Sequence, residues 1–120
     1  MANWGKNLPL FLVIYLPNDH GAGEFPENDY PFRESYMTDN DLALGTVVEV
    51  LSHSPYWKKI AIFITEDDPQ GGVDHVDAQR SILKVVFPYA KKSYIGHVQY
   101  SFGSIMKTFW HILGIPNLAG

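Results

Sequence analysis

The sequence predicts an α/β protein, on three observations. Apolar, β-branched runs at residues 8–16, 60–65 and 81–87 read as buried strands; two amphipathic stretches read as helices; and the order is β, α, β, β, α. A strand, helix, strand order with buried strands implies a crossover connection and a mainly parallel sheet.

Leu8-Pro9-Leu10-Phe11-Leu12-Val13-Ile14-Tyr15-Leu16 is apolar throughout, with proline only near its start, where a strand tolerates it. Residues 17–23 break the run, and 24–37 read as a polar surface loop. Thr38 or Asp39 is the expected N-cap of the first helix, with Asp39 and Asp41 favoured at its positive end. Leu44, Val47, Val48 and Leu51 then follow at helical spacing. Ser54 precedes Pro55, so this helix is expected to stop near His53.

The run Ile60-Ala61-Ile62-Phe63-Ile64-Thr65 is the second strand, and Ser81 to Phe87 the third, ended by Pro88. Ser101 is the expected N-cap of the last helix. Phe102, Ile105, Met106, Phe109, Ile112 and Leu113 form its apolar face; Gly114 follows its end and Pro116 lies just beyond. Three strands and two helices make a thin α/β domain, because buried parallel strands need cover on both faces. Residues 1–120 are therefore expected to be a single domain that forms the C-terminal part of a larger sheet.

Composition narrows the function. The chain of 120 residues is 46% hydrophobic with 14% aromatic residues, which describes a globular protein. No apolar stretch approaches the ~18 residues that span a membrane, and no signal peptide is visible. There is no cysteine, hence no disulfide, thiolate metal site or cysteine nucleophile. The net charge of −4 and the lack of a Lys/Arg stripe exclude a typical nucleic-acid binder.

That negative charge is local. Five of the 13 acidic residues fall in Glu66-Asp67-Asp68-Pro69-Gln70-Gly71-Gly72-Val73-Asp74-His75-Val76-Asp77, and those outside it nearly balance the 9 Lys and Arg. Crowded carboxylates repel unless a cation or protons intervene. Asp, Glu and His are the ligands that suit a hard or borderline divalent metal. Asp67-Asp68 begins where a strand ends, the place at which α/β sheets gather their ligands. Gly71-Gly72 permits a reversal that carries Asp74 and His75 back over the pair. A second group, Asn18-Asp19-His20-Gly21, lies just past the first run, so the two clusters are expected on one sheet edge. An Asx-turn explains this second group equally well.

Leu-Pro-Asn-Asp-His-Gly at 16–21, Asp39-Asn40-Asp41-Leu42-Ala43-Leu44-Gly45, Ser52-His53-Ser54-Pro55-Tyr56-Trp57 and the acidic segment 66–77 together resemble the phosphoesterase family. That family includes bacterial phospholipase C-type enzymes and lies within the alkaline phosphatase superfamily. The likeness runs on through Tyr100-Ser101 and Ile112-Leu113-Gly114-Ile115-Pro116, and is greatest to bacterial domains often fused to a β-propeller. The resemblance implies a three-layer α/β/α sandwich, one or two divalent metals (Zn, Mn or Ca) and hydrolysis of a small-molecule or lipid phosphate ester. It assigns metal ligation to Asp67, Asp68 and His75, with Asp19 and His20 near a further ligand segment, and places catalytic roles at His75 and Asp74. It also suggests a periplasmic or secreted bacterial protein.

Two departures stand beside this. Gln79 occupies a position where relatives commonly carry His, and the family's Ser/Thr nucleophile has no counterpart in residues 1–7. The chain is accordingly expected to be incomplete as a hydrolase, and to self-associate through an exposed sheet edge. A non-catalytic metal-binding remnant, or a sulfate or phosphonate ester hydrolase, is the alternative reading.

Overall fold

Two helices and one antiparallel strand pair make up the regular structure in the computed structural model, which describes residues 8–20, 30–67 and 81–116. The elements are α1 (Arg33–Ser52), β1 (Ile62–Thr65), β2 (Leu83–Val86) and α2 (Phe102–Leu113), with short 3-10 turns at Pro17–His20 and Trp57–Lys59. The chain divides into two compact units, Tyr15–Lys92 and the pairing of Met1–Ile14 with Ser93–Gly120.

In the larger unit, α1 begins at Arg33, five residues before Thr38, the earlier of the two expected caps. Its N-cap is Phe32, whose backbone N–H donates to Ser35 Oγ at 3.3 Å. Tyr30 lies flat against Tyr36 of the first turns, with ring centroids 4.0 Å apart, and this contact anchors the helix entrance. Thr38 is an interior residue whose Oγ1 donates back to the Glu34 carbonyl. The stripe Leu44, Val47, Val48 and Leu51 is half-buried, whereas Leu42 and Val50 are exposed. The helix ends where Pro55 requires. His53 Nδ1 donates to the Glu49 carbonyl at 2.8 Å, and Ser54 Oγ to that of Leu51 at 2.7 Å, so last-turn acceptors are satisfied.

Strands β1 and β2 pair antiparallel, with Thr65 opposite Leu83 and Ile62 opposite Val86. The acidic segment is therefore the connection of a hairpin. The register places Phe63, Thr65, Leu83 and Val85 on one face and Ile62, Ile64, Lys84 and Val86 on the other. Both faces are mainly apolar. None of these side chains is fully buried, and no described residue of the chain is.

The apolar run at 8–16 forms no strand. Leu10 is 93% exposed, and Phe11 meets Phe109 of α2 edge-on, with centroids 5.5 Å apart. A strand exists only through the ladder of a neighbour, and no described segment pairs with this one. Phe11 alone of the run has a described ring contact with α2, and Leu10 and Val13 remain largely exposed.

Helix α2 is capped at both ends as its sequence dictates. Ser101 Oγ accepts from the Ser104 N–H, and Ser104 Oγ accepts from the Ser101 N–H, each at 3.3 Å. At the far end the Gly114 N–H donates to the His111 carbonyl and the Ile115 N–H to that of Trp110, a Schellman closure with Gly114 at φ +68°.

Two glycines are expected to respond oppositely to alanine. Gly114→Ala forces a side chain into the left-handed region and costs about 1 kcal/mol. Gly45 is exposed within α1, and a methyl group there meets nothing within 4 Å, so Gly45→Ala stabilises by about 1 kcal/mol. Denaturant unfolding of the two variants checks both signs.

Candidate metal site

β1 delivers Glu66 and Asp67 at its carboxyl end. Ser81 Oγ donates to the Glu66 carbonyl at 2.6 Å, a bond across the neck of the connection just beyond the last ladder pair, Thr65–Leu83. The two ends of the connection between β1 and β2 are thus held together by backbone register and by this side-chain clasp. Asp67 is exposed at the neck and Glu66 is half-buried. Asp68, Asp74 and His75, with the Gly71-Gly72 reversal, Asp77 and Gln79, lie outside the described residues.

The second cluster is fixed by a polar network. Pro17–His20 is a single 3-10 turn packed against α1. Asn18 Nδ2 donates to Asp39 Oδ2 at 2.6 Å, and the Tyr30 hydroxyl donates to the same oxygen at 3.2 Å. Asn18 Nδ2 also lies 3.4 Å from the Tyr30 hydroxyl. Partial burial, together with the carboxylate of Asp39 beside it, pushes the Tyr30 phenol above its ordinary value, and the Asn18 amide pulls it the other way. Asp39 is thus not a helix cap. It is an interior residue of α1 whose carboxylate collects donors from both ends of segment 19–29. Asp19 and His20 occupy this turn.

This network was not foreseen from the residues. Asn18 and Asp39 are 21 positions apart, Tyr30 and Asp39 nine, and no local pattern links them. The only signal was chemical: an Asn-Asp turn former and an acid on a helix face.

Among the described residues, no three His, Asp or Glu side chains come close enough to hold a metal ion. Asp67 and the turn bearing Asp19 and His20 belong to the same unit. The remaining histidines have other settings. His53 closes α1, His111 lies exposed in the last turn of α2, and His97 is exposed in the unit containing α2. Lys107, Trp110, His111 and Ile115 line a shallow pocket of about 230 Å³ at the end of α2. Ser101 and Ser104 are committed to the helix cap and to each other. Among the described residues, no helix is long and apolar enough to cross a membrane.

No protein-family model matches the chain, and neither a curated protein nor a solved structure is similar enough to count as a match.

Proposed function

We propose that the chain is part of a metal-dependent phosphoesterase of the phospholipase C-type, alkaline phosphatase-like group, with an α/β/α sandwich as its fold. The observation that carries the reading is the position of Asp67. It stands just past β1, at the neck of a connection whose ends are clasped by the Ser81–Glu66 bond, and the most acidic part of the sequence follows it. Support also comes from the order of the four motif segments that resemble the family.

In this reading Asp67, Asp68 and His75 hold a divalent cation, and Asp19 and His20 extend the ligand set. The donors fit such an ion chemically, being carboxylate oxygens and imidazole nitrogen. When bound, the cation supplies charge that polarises a phosphoryl oxygen. The chain's own share is to concentrate negative charge at one point, to bind the cation there, and to orient it toward an ester. Asp74 keeps the His75 imidazole oriented at the phosphate.

The test is binding of inorganic phosphate, the reaction product, measured by calorimetry with Zn²⁺, Mn²⁺ or Ca²⁺ present and again after chelation. Phosphate binding that appears only with metal, and exceeds that of sulfate, is expected. Sulfate binding as tightly would move the assignment to sulfate esters. Metal-independent binding, or none, would refute the phosphoesterase reading.

A further inference from the structure

The Asn18–Tyr30–Asp39 network assigns Asp39 a task beyond the ligand set. We propose that Asp39 is a positioning residue that anchors both ends of segment 19–29 to α1 and so fixes the turn carrying Asp19 and His20. The positioning role rests on the phosphoesterase reading; the anchoring rests on geometry alone.

The geometry is specific. One oxygen, Asp39 Oδ2, takes the Asn18 amide at 2.6 Å and the Tyr30 hydroxyl at 3.2 Å. Asn18 immediately precedes Asp19, and Tyr30 immediately follows residue 29, so a single carboxylate closes an eleven-residue segment at both ends. Bonds from a neutral donor to a carboxylate are shorter and stronger than neutral pairs. The Tyr30 ring is held a second time, flat on Tyr36 at an interplanar angle of 10°. Tyr36 and Asp39 lie three apart on α1, on neighbouring turns of one helix face. The clamp therefore has a rigid base, and its two grips reinforce each other.

The chemistry explains why an acid stands there. Asp39 is exposed within a helix, where aspartate is a poor helix former. A charged acceptor of two donors compensates for that. Groups that orient metal ligands without touching the metal commonly change affinity by about 10–100-fold when removed.

The experiment compares wild type, Asp39→Ala, Tyr30→Phe and Asp41→Ala. Alanine is the best helix former, so α1 persists in the Asp39 variant, and circular dichroism checks this. Asp41→Ala removes the same charge two residues along the same helix, at an exposed site. Hydrogen exchange at the amides of residues 18–20 reads the anchor, and calorimetric titration with Mn²⁺ reads the positioning. Faster exchange in Asp39→Ala, about tenfold weaker Mn²⁺ binding, a smaller loss in Tyr30→Phe and none in Asp41→Ala are expected. Unchanged exchange overturns the anchor. Faster exchange with unchanged Mn²⁺ affinity overturns positioning while the anchor stands. Equal losses in Asp39→Ala and Asp41→Ala reduce the effect to net charge and overturn it too. A wild type that binds no Mn²⁺ overturns the positioning role together with the phosphoesterase reading, and the exchange data separate that failure from failure of the anchor.

Discussion

Asp67→Asn combined with Asp68→Asn is expected to abolish divalent-metal binding, a loss of roughly a hundredfold or more, since ligand charge is what sets affinity for a hard cation. Asp67 sits at the exposed neck of the hairpin connection, where a shape-conserving amide leaves β1 and its ladder intact. Loss of binding with an unchanged circular dichroism spectrum would then report on ligation and not on folding. Wild-type affinity should also fall on acidification, because protons compete with the metal for carboxylate and imidazole donors. Calorimetry with Zn²⁺, Mn²⁺ and Ca²⁺ at several pH values measures both effects. Equal binding by wild type and the double variant would remove Asp67 and Asp68 from the ligand set.

The second large effect concerns association. The β1–β2 pair carries apolar residues on both faces, including Phe63, Leu83 and Val85 on one and Ile62, Ile64 and Val86 on the other, and none of them is buried. A pair of strands has two open edges that invite further pairing, and an isolated hairpin is marginal in water. Concentration-dependent self-association is therefore expected, with weight-average mass rising in analytical ultracentrifugation. Val85→Lys, which places a charge on the exposed strand, should weaken association at least about tenfold by disfavouring stacking and edge pairing. A mass equal to the monomer at all concentrations would show that the hairpin needs no cover.

The segments that were readable in the sequence are those with local causes. Pro55 stops α1, and Gly114 with Pro116 stops α2, because each acts on its own backbone. The strands near 60–65 and 81–87 announced themselves by β-branched content. Two features failed to show, each for a non-local reason. The run at 8–16 has strand composition but no ladder partner among the described residues, and composition alone cannot make a strand. The start of α1 is set by the Tyr30–Tyr36 stack and by Ser35, not by the better capping residues Thr38 and Asp39. The described pair β1–β2 is antiparallel because the acidic connection, and not a helix, joins it; the crossover expected between the runs at 8–16 and 60–65 is a separate connection. Of the candidate site, the strand-end placement of Asp67 followed from sequence, while the grip of Asp39 on Asn18 depends on the path of the chain between them.

The clasp between Ser81 and Glu66 has a further consequence for how this region can change. With the stem register fixed at Thr65–Leu83, the connection is entropically a closed loop. Doubling the length of such a loop adds only about 0.6 kcal/mol to its closure cost. Insertions, deletions or wholesale exchange of the acidic segment therefore weigh little against folding, provided that the stem and the serine stay. The number of acidic side chains can drift here while the scaffold is held constant. The hairpin makes the acidic segment a replaceable cassette, open to transplantation into another antiparallel stem.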